Sequence, residues 1–392
     1  MNIIAYLEPH IENIYEKAVH WRRYLHENPE LSFQEAKTSA WIQKKLEDMG
    51  CQVQRCTQSN GLIVSIVGAL SGPTIALRAD MDGLPIQDEK TVAYASKVPN
   101  VMHACGHDGH TATLLAVAQF YMQHTDKLKG ERRLLFQPAE EVAPGGAAPM
   151  IAEGALLGVD VVYGVHLWTP LSYGKVSTRG GNFMSAVDDF YIDIEGLGGH
   201  GGMPHDTVDT IVVGSQFVQS LQTIVSRNVN PMNPAVVTVG SFQAGHASNI
   251  IAERCGIKGT IRTFDESTRA LIHEKLENIL TTTCEMYGAT YSYNLKKGYP
   301  SVINDETEAN RVLSVARDVM GTDNVIVAEP IMIAEDFSYY LKEVPGCFMF
   351  VGAGNEDCQA TYAHHHAKFD IDERAMNNAI RMLVHVAEQY AQ

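Results

Sequence analysis

The stretch GLIVSIVGALSGPTIALRADMD, residues 61–82, contains two short apolar runs and ends in two aspartates. Apolar runs of this length, bounded by glycine and proline, are typical of buried β-strands. Further along the chain such runs alternate with helical patterns, as in HTATLLAVAQFYMQH, residues 110–124. Strands that alternate with helices indicate βαβ units and a largely parallel sheet. We therefore predict an α/β fold with a mostly parallel central sheet.

The middle of the chain has a different pattern of elements. Between residues 183 and 295 the predicted order is β-α-β-β-α-β, which is the split βαβ motif of a small α+β, ferredoxin-like domain. The last third returns to the alternation of strands and helices. A chain of 392 residues is also long for a single core. We predict a discontinuous first domain, residues 1–182 and 296–392, with an inserted second domain, residues 183–295.

Composition and charge restrict the partners of the protein. The chain carries 46 acidic and 30 basic residues, a formal net charge of −16. Nucleic acids and anionic membranes would be repelled by this charge, so we expect a small-molecule substrate instead. The N-terminal residues form an amphipathic helical pattern rather than a signal peptide, and the seven cysteines do not resemble a disulfide framework. We predict a cytoplasmic protein with reduced thiols and no membrane span.

Polar side chains follow several predicted strands at the point where each strand ends. In an open α/β sheet the carboxyl ends of the strands form the crevice where ligands bind. Four separate segments therefore point to one site. They are Asp80 and Asp82, Glu140 and Glu141, His166, and a turn over Gly352 to Gly354.

The densest cluster of ligand atoms is ACGHDGHTA, residues 104–112. Cys105 and His107 are two residues apart on a glycine-containing turn, so a thiolate and an imidazole can reach the same zinc-like cation. Asp108 and His110 are placed to orient these ligands or to cap a helix that begins near Thr111. A cysteine and histidine nucleophilic pair is the alternative, although no third member of such a set is evident.

Two further segments add carboxylates and histidines. Because consecutive residues of an extended chain point to opposite sides, one of Glu140 and Glu141 can bind metal while the other faces the substrate as a base. The run of His364, His365 and His366 is either a polar loop or the completion of the metal site.

Together these motifs resemble those of the M20 metallopeptidases, in particular the amidohydrolase branch. That branch contains N-acyl-amino-acid amidohydrolases, hippurate hydrolases and plant auxin-conjugate hydrolases. The resemblance covers nearly the whole chain, in the order and at the spacing of the family, and it implies a zinc-peptidase-like catalytic domain. It rests on RRYLHENPELSFQE, RADMDGLP, MHACGHDGHTA, QPAEE, GVHLW, GGHGGMPH, GTIRTF, AEDF and HHAKFDIDE.

The resemblance implies two divalent metal ions per subunit, which would be zinc, manganese, cobalt or nickel. Cys105 stands where other M20 members have a bridging aspartate, and Asp80 stands where they have a metal-binding histidine. Asp82 matches an aspartate of the catalytic set behind the ligands. The last ligand lies four residues before Phe369, although a shift of one residue would select another histidine of the run. The implied ligands are Cys105, His107, Glu141, His166 and His365.

The activity implied by the resemblance is hydrolysis of the amide bond of N-acyl amino acids, with Glu140 as general base. An aminopeptidase, dipeptidase or carboxypeptidase acting on short peptides is the alternative. Arg262 would hold a substrate carboxylate, and Asn249 and the backbone at Gly354 would lie against the substrate. His200 would reach the active site of a partner subunit, which implies a homodimer or a tetramer assembled through the inserted domain.

Overall fold

The computed structural model describes residues 3–392, so the first two residues of the predicted catalytic range lie outside it. The chain divides into two compact units. The larger unit comprises the chain up to Phe183, Ile303–Glu329 and Asp336–Gln392. The smaller unit comprises Met184–Val302 and Pro330–Glu335, and so extends beyond the predicted insert. The assignment of catalysis to one unit and of dimerisation to the other stays a prediction.

Within residues 3–392 the secondary structure consists of strands β1–β16 and helices α1–α9, joined by loops of varied length that include short 3-10 and π-helical segments. The strands are β1 Gln52–Arg55, β2 Leu62–Val67, β3 Leu70–Asp80, β4 Lys129–Gln137, β5 Val161–Ser172, β6 Val176–Thr178, β7 Gly181–Met184, β8 Ala186–Glu195, β9 Gly199–His200, β10 Ala235–Ala244, β11 Ile250–Ile251, β12 Arg254–Thr263, β13 Thr290–Lys297, β14 Val302–Asn304, β15 Val325–Val327 and β16 Gly346–Gly354. The helices are α1 Ile11–Glu27, α2 Ala36–Asp48, α3 His107–Met122, α4 Ala147–Ala152, α5 Thr210–Thr223, α6 Glu266–Tyr287, α7 Glu306–Met320, α8 Ser338–Glu343 and α9 Ala375–Tyr390.

An eight-stranded sheet forms the centre of the larger unit, with strand order β1-β2-β4-β3-β5-β16-β6-β15. The four central strands, β4, β3, β5 and β16, are parallel to one another. Strands of this kind are buried on both faces, which is why their sequences are continuous apolar runs rather than alternating ones. All nine residues of β16 are buried. The α/β fold with a mostly parallel central sheet is therefore confirmed.

Helix α3 begins at His107, not near Thr111 as we predicted from sequence. The preceding residue, Gly106, has a φ of 91°, a left-handed conformation that glycine adopts without steric cost. The chain can therefore turn directly from the cysteine loop into the helix. Every residue from His107 to Tyr121 is buried. As a result the polar residues of the first turn lie inside the protein rather than in a loop before the helix.

The smaller unit has a four-stranded antiparallel sheet with strand order β10-β12-β8-β13. Helices α5 and α6 contribute Val213, Phe217, Ile272 and Leu276 to its core. Each helix is preceded by an aspartate, Asp209 or Asp265, whose side chain accepts a backbone N–H of the first turn. The predicted β-α-β-β-α-β order is confirmed, with the two-residue strands β9 and β11 in addition.

None of the helices within residues 3–392 combines the length and the apolar character that a membrane crossing requires.

Candidate metal centre

Cys105 is shared by two groups of potential metal ligands in the larger unit. One group is Cys105, His107 and Glu141, and the other is Cys105, His166 and His364. Within each group the ligand atoms all lie within 4.8 Å of one another. The side chains come from the start of α3, the loop after β4, strand β5 and the C-terminal loop. Segments that are far apart in sequence thus meet near the carboxyl ends of the parallel strands.

Cys105 is a buried thiol among acidic side chains. Its Sγ lies 3.5 Å from His166 Nε2. Burial raises the pKa of Cys105 well above its ordinary value. The negative charges of Glu141, Glu140 and Asp80 raise it further. A thiolate at this position therefore needs a cation beside it.

His107 presents one ring nitrogen to the centre of this cluster. Its Nδ1 donates to Asp82 Oδ1 at 3.1 Å, whereas its buried Nε2 has no hydrogen-bond partner within residues 3–392. Nε2 lies 3.7 Å from Asp80 Oδ2 and 3.7 Å from Glu141 Oε1. Although burial alone lowers the pKa of His107, these neighbouring carboxylates raise it to about 10. The carboxylates of Asp80 and Glu141 therefore favour a positive charge at the position of Nε2.

Asp82 holds both His107 and the segment that carries Glu141. Its Oδ1 accepts from His107, while its Oδ2 accepts the Ser32 hydroxyl at 2.7 Å and the Glu141 N–H at 3.0 Å. Burial raises the pKa of Asp82, but these hydrogen bonds outweigh burial and lower it below the ordinary value. Asp82 is thus an ionised carboxylate that fixes the ring of His107, a common arrangement behind metal-binding histidines.

Asp80 and His110 form a hydrogen-bonded pair behind the ligands. His110 Nε2 accepts the Leu167 N–H at 2.8 Å, and its Nδ1 donates to Asp80 Oδ1 at 2.6 Å. Both ring nitrogens of His110 therefore have partners, and Arg78 also donates to Asp80, at 2.6 Å. His110 thus orients Asp80, although Asp80, His107 and His110 also form a group of potential metal ligands.

His166 is neutral and oriented toward Cys105. Its Nδ1 donates to the carbonyl oxygen of Leu167 at 3.0 Å, which leaves the lone pair of Nε2 directed at the thiol. Burial lowers the pKa of His166 well below its ordinary value. Neutral imidazole is the form that binds metal.

Two histidines of the C-terminal run reach the cluster. His364 Nε2 accepts the Thr169 N–H at 3.3 Å, so its Nδ1 donates toward Cys105 Sγ, 3.7 Å away. His365 has a φ of 66°, and its Nε2 lies 3.3 Å from Glu141 Oε2. His366 instead accepts the Lys368 N–H with its Nδ1. The choice of His365 as the last ligand stays a prediction, with His364 as the competing residue.

These residues fit divalent cations. His107 Nε2 and Glu141 Oε1 are buried polar atoms without a hydrogen-bond partner in the described part of the chain, and such atoms are rare unless an ion or water contacts them. Sulfur, imidazole nitrogen and carboxylate oxygen together are the donors that zinc-like ions prefer. Glu140 Oε2 lies 3.9 Å from His107 Nε2, at the edge of the same cluster.

A buried ionic network beneath the centre was not predicted from sequence. Arg22 of α1 donates to Asp108 at 2.7 Å, to Asp370 at 2.6 Å and to Glu373 at 3.2 Å. His26, one turn later, donates to Asp108 at 2.7 Å. The network therefore joins α1 to the first turn of α3 and to the loop that follows the C-terminal histidines.

Arg22→Leu is expected to destabilise the protein by about 3–5 kcal/mol, because it leaves buried carboxylates without a counter-charge. Arg23→Leu is the matched control, since Arg23 pairs with the same Glu373 but its side chain is 49% exposed. Its expected cost is about 1 kcal/mol or less. Urea unfolding of the two variants measures the difference, and equal losses of stability would contradict the role given to Arg22.

Three predicted site residues lie in the smaller unit. His200 of β9 and Asn249 line a cavity of about 720 Å³ in this unit, and the carbonyl oxygen of Asn249 accepts the Gly201 N–H at 2.9 Å. Arg262 of β12 is half-buried and does not line this cavity. It donates to Thr260 Oγ1 at 2.6 Å, and within residues 3–392 it forms no ion pair.

The glycines near residue 354 do not form the turn that we predicted, because β16 continues through Gly354. A Cβ at Gly354 would lie 2.1 Å from the carbonyl oxygen of Thr169, and one at Gly352 would lie 2.0 Å from that of Ser172. The close approach of β5 therefore accounts for both glycines. Contact of Gly354 with a substrate stays a prediction.

The sequence profile described as Peptidase family M20/M25/M40 matches residues 76–389. The chain belongs to this family. YhaA of Bacillus subtilis (strain 168) is 48% identical over 382 residues, which cover 97% of this chain and 96% of YhaA. The N-acyl-L-amino acid amidohydrolase of Geobacillus stearothermophilus is 47% identical over 295 residues, or 75% of this chain and 80% of that one.

Among solved structures, Bacillus subtilis YXEP superimposes with a TM-score of 0.83 at 34% identity, covering 97% of this chain and 99% of that one. It is described as a dinuclear metal binding peptidase from the M20 family. The predicted amidohydrolase branch is thus confirmed. This M20 chain is an enzyme of metal-dependent amide hydrolysis.

Proposed function

We propose that the protein hydrolyses the amide bond of N-acyl amino acids and releases the amino acid and a carboxylic acid. The observation that carries this proposal is the different position of two adjacent carboxylates. Glu141 belongs to a ligand group with Cys105 and His107, whereas Glu140 lies at the edge of that group. The similarity to an N-acyl-L-amino acid amidohydrolase supports this substrate class.

The proposed ligands are Cys105, His107, Glu141, His166 and His365, for two ions of zinc, manganese, cobalt or nickel. When bound, such ions supply a water of lowered pKa and polarise the acyl carbonyl. Glu140 takes the proton of the attacking water and passes it to the leaving amine. Asp82 keeps the Nδ1 proton of His107 in place, so that Nε2 presents its lone pair.

We further propose that Arg262 binds the carboxylate of the substrate and that Asn249 and Gly354 contact the substrate. The planar guanidinium can donate two parallel hydrogen bonds to a carboxylate. Among the residues that the structure describes, Arg262 donates only to neutral oxygens, those of Thr260 and Ile261. Burial lowers the pKa of Arg262, which favours a bound anion as its partner.

A hydrolysis screen tests the proposed function. N-acetyl, N-benzoyl and longer N-acyl amino acids are incubated with the protein and added manganese, zinc or cobalt, beside dipeptides with free amino ends and N-blocked peptides. We expect release of the free amino acid from at least one N-acyl compound. Hydrolysis of peptides alone would replace the proposal with an aminopeptidase, dipeptidase or carboxypeptidase.

His200 is proposed to complete the active site of a partner subunit in a homodimer. The side chain is exposed, and its Nδ1 accepts the Gly202 N–H at 3.0 Å, so Nε2 carries the proton. An N–H in this position can donate to an oxyanion. The outer strands β10 and β13 also offer sheet edges for two-fold pairing.

A mixture of His200→Ala and Glu140→Ala is expected to recover activity that neither variant has alone. After subunit exchange, hybrid dimers would combine Glu140 of one chain with the partner's intact His200. Mass spectrometry of differently labelled chains verifies the exchange. Verified exchange without recovered activity would show that His200 does not act across subunits.

A further inference from the structure

Glu35 is a buried carboxylate at the end of the loop that precedes α2, and it has no exposed surface. Its Oε1 accepts two backbone N–H groups, that of Phe33 at 2.9 Å and that of Ala139 at 2.8 Å. Its Oε2 accepts from Asn60 Nδ2 at 3.0 Å. One side chain thus connects three segments that are distant in sequence.

Both residues whose amides meet at Oε1 have a left-handed backbone. The φ of Phe33 is 66° and that of Ala139 is 54°. Residues other than glycine rarely adopt this conformation, because the Cβ atom is crowded there, and they keep it where the surroundings hold them. The carboxylate of Glu35 is the group that holds these two amides.

Ala139 immediately precedes Glu140, and the residue on the other side is anchored as well. The Glu141 N–H donates to Asp82 Oδ2, which also accepts the Ser32 hydroxyl. The backbone on both sides of Glu140 is therefore tied to the loop over residues 32–35. This fixes the direction in which the Glu140 side chain leaves the backbone.

We propose that Glu35 is a positioning residue for Glu140. By accepting the Ala139 N–H, Glu35 holds Ala139 in the left-handed conformation and so orients the side chain of Glu140. This inference rests on the proposed function, in which Glu140 is the general base.

The chemistry of Glu35 supports this role over a purely structural one. In the part of the chain that the structure describes, no lysine or arginine forms an ion pair with Glu35, and burial raises its pKa. A buried carboxylate without a counter-ion is costly, and an apolar residue would fill the same space at lower cost. The backbone N–H groups of Phe33 and Ala139 donate to Glu35, and they explain why a hydrogen-bond acceptor is present at this position.

Three substitutions at position 35 test the proposal. Glu35→Ala removes the hydrogen-bond acceptor. Glu35→Asp keeps the negative charge, but its side chain is shorter by one carbon, so the carboxylate lies farther from the two amides. Glu35→Gln retains an oxygen for the two amides if Asn60 turns its own oxygen toward the new amide group. The matched control is Glu30→Gln, since Glu30 accepts from Lys37 N, Thr38 N and Thr38 Oγ1 at the start of α2 and none of these contacts involves residues 139–141.

Two readouts are measured on each variant. The first is kcat and KM with N-acyl amino acids at equal metal content. The second is hydrogen–deuterium exchange of the segment 138–142 in metal-free protein. Glu35→Ala and Glu35→Asp are expected to lower kcat by about 10- to 100-fold with little change in KM, because a misplacement of about 1 Å has this effect. They are also expected to speed exchange at Ala139, whereas Glu35→Gln should stay closer to the unmodified protein.

The proposal is overturned if exchange at Ala139 or kcat in Glu35→Ala and Glu35→Asp matches the Glu30→Gln control. A loss of kcat in Glu35→Gln as large as that in Glu35→Ala would also overturn it. Absence of any N-acyl hydrolysis by the unmodified protein would instead refute the proposed function. In that case the exchange measurement, which needs no activity, still decides whether Glu35 holds the turn.

Discussion

Glu140→Gln is expected to lower kcat for N-acyl amino acid hydrolysis by about 10²- to 10⁴-fold while the metal content remains nearly unchanged. The amide cannot take a proton from the attacking water, yet it has almost the shape of the carboxylate. Glu140 lies 3.9 Å from His107 Nε2, at the edge of the ligand group, so its loss should not release the metal.

Glu141→Gln is the companion variant, because it changes the adjacent residue in the same way. Glu141 has a buried oxygen without a hydrogen-bond partner among residues 3–392, and its other oxygen lies 3.3 Å from His365. We expect this variant to lose metal together with activity. Metal analysis of both purified proteins, beside kcat, separates the roles. Loss of metal from Glu140→Gln but not from Glu141→Gln would show that the two roles are reversed.

The sequence predicts the central sheet and the clustering of polar residues because both depend on local patterns. Buried parallel strands are recognisable as apolar runs, and their carboxyl ends lie at one edge of the sheet. Asp80 ends β3 and Glu140 follows β4, so their approximate placement follows from strand boundaries alone. The start of α3 was harder to predict, because a helix buried on all sides lacks the polar face that marks a helix in sequence.

The supporting contacts of the site could not be predicted, because they depend on residues far apart in the chain. Glu35 and Ala139 are 104 positions apart, and Arg22 and Asp370 are 348 apart. The residues next to Glu35 and Arg22 in the sequence do not indicate which distant residues these two side chains contact. The prediction of a turn at the glycines of β16 was wrong for a related reason. Glycine favours turns locally, whereas here it is required by the backbone of β5 alongside.

Removal of the metal is expected to abolish hydrolysis completely, which is the largest effect that we predict. Near Cys105, His107 Nε2 and Glu141 Oε1 are buried without a hydrogen-bond partner among residues 3–392, and the thiol has a pKa well above its ordinary value when only carboxylates and histidines surround it. Without a cation, no group in this set lowers the pKa of a water enough to attack an amide. Cys105→Ser should also bind metal more weakly, since an alcohol is a poor ligand compared with a thiolate.

The most direct test follows hydrolysis and metal content in the same samples during dialysis against a chelator and subsequent titration with zinc, manganese, cobalt or nickel. We expect activity to disappear with the metal and to return as two ions per chain are bound, with little recovery in Cys105→Ser. Full hydrolytic activity in protein that contains no measurable metal would contradict it, and loss of that activity on alkylation of Cys105 would then favour a nucleophilic cysteine.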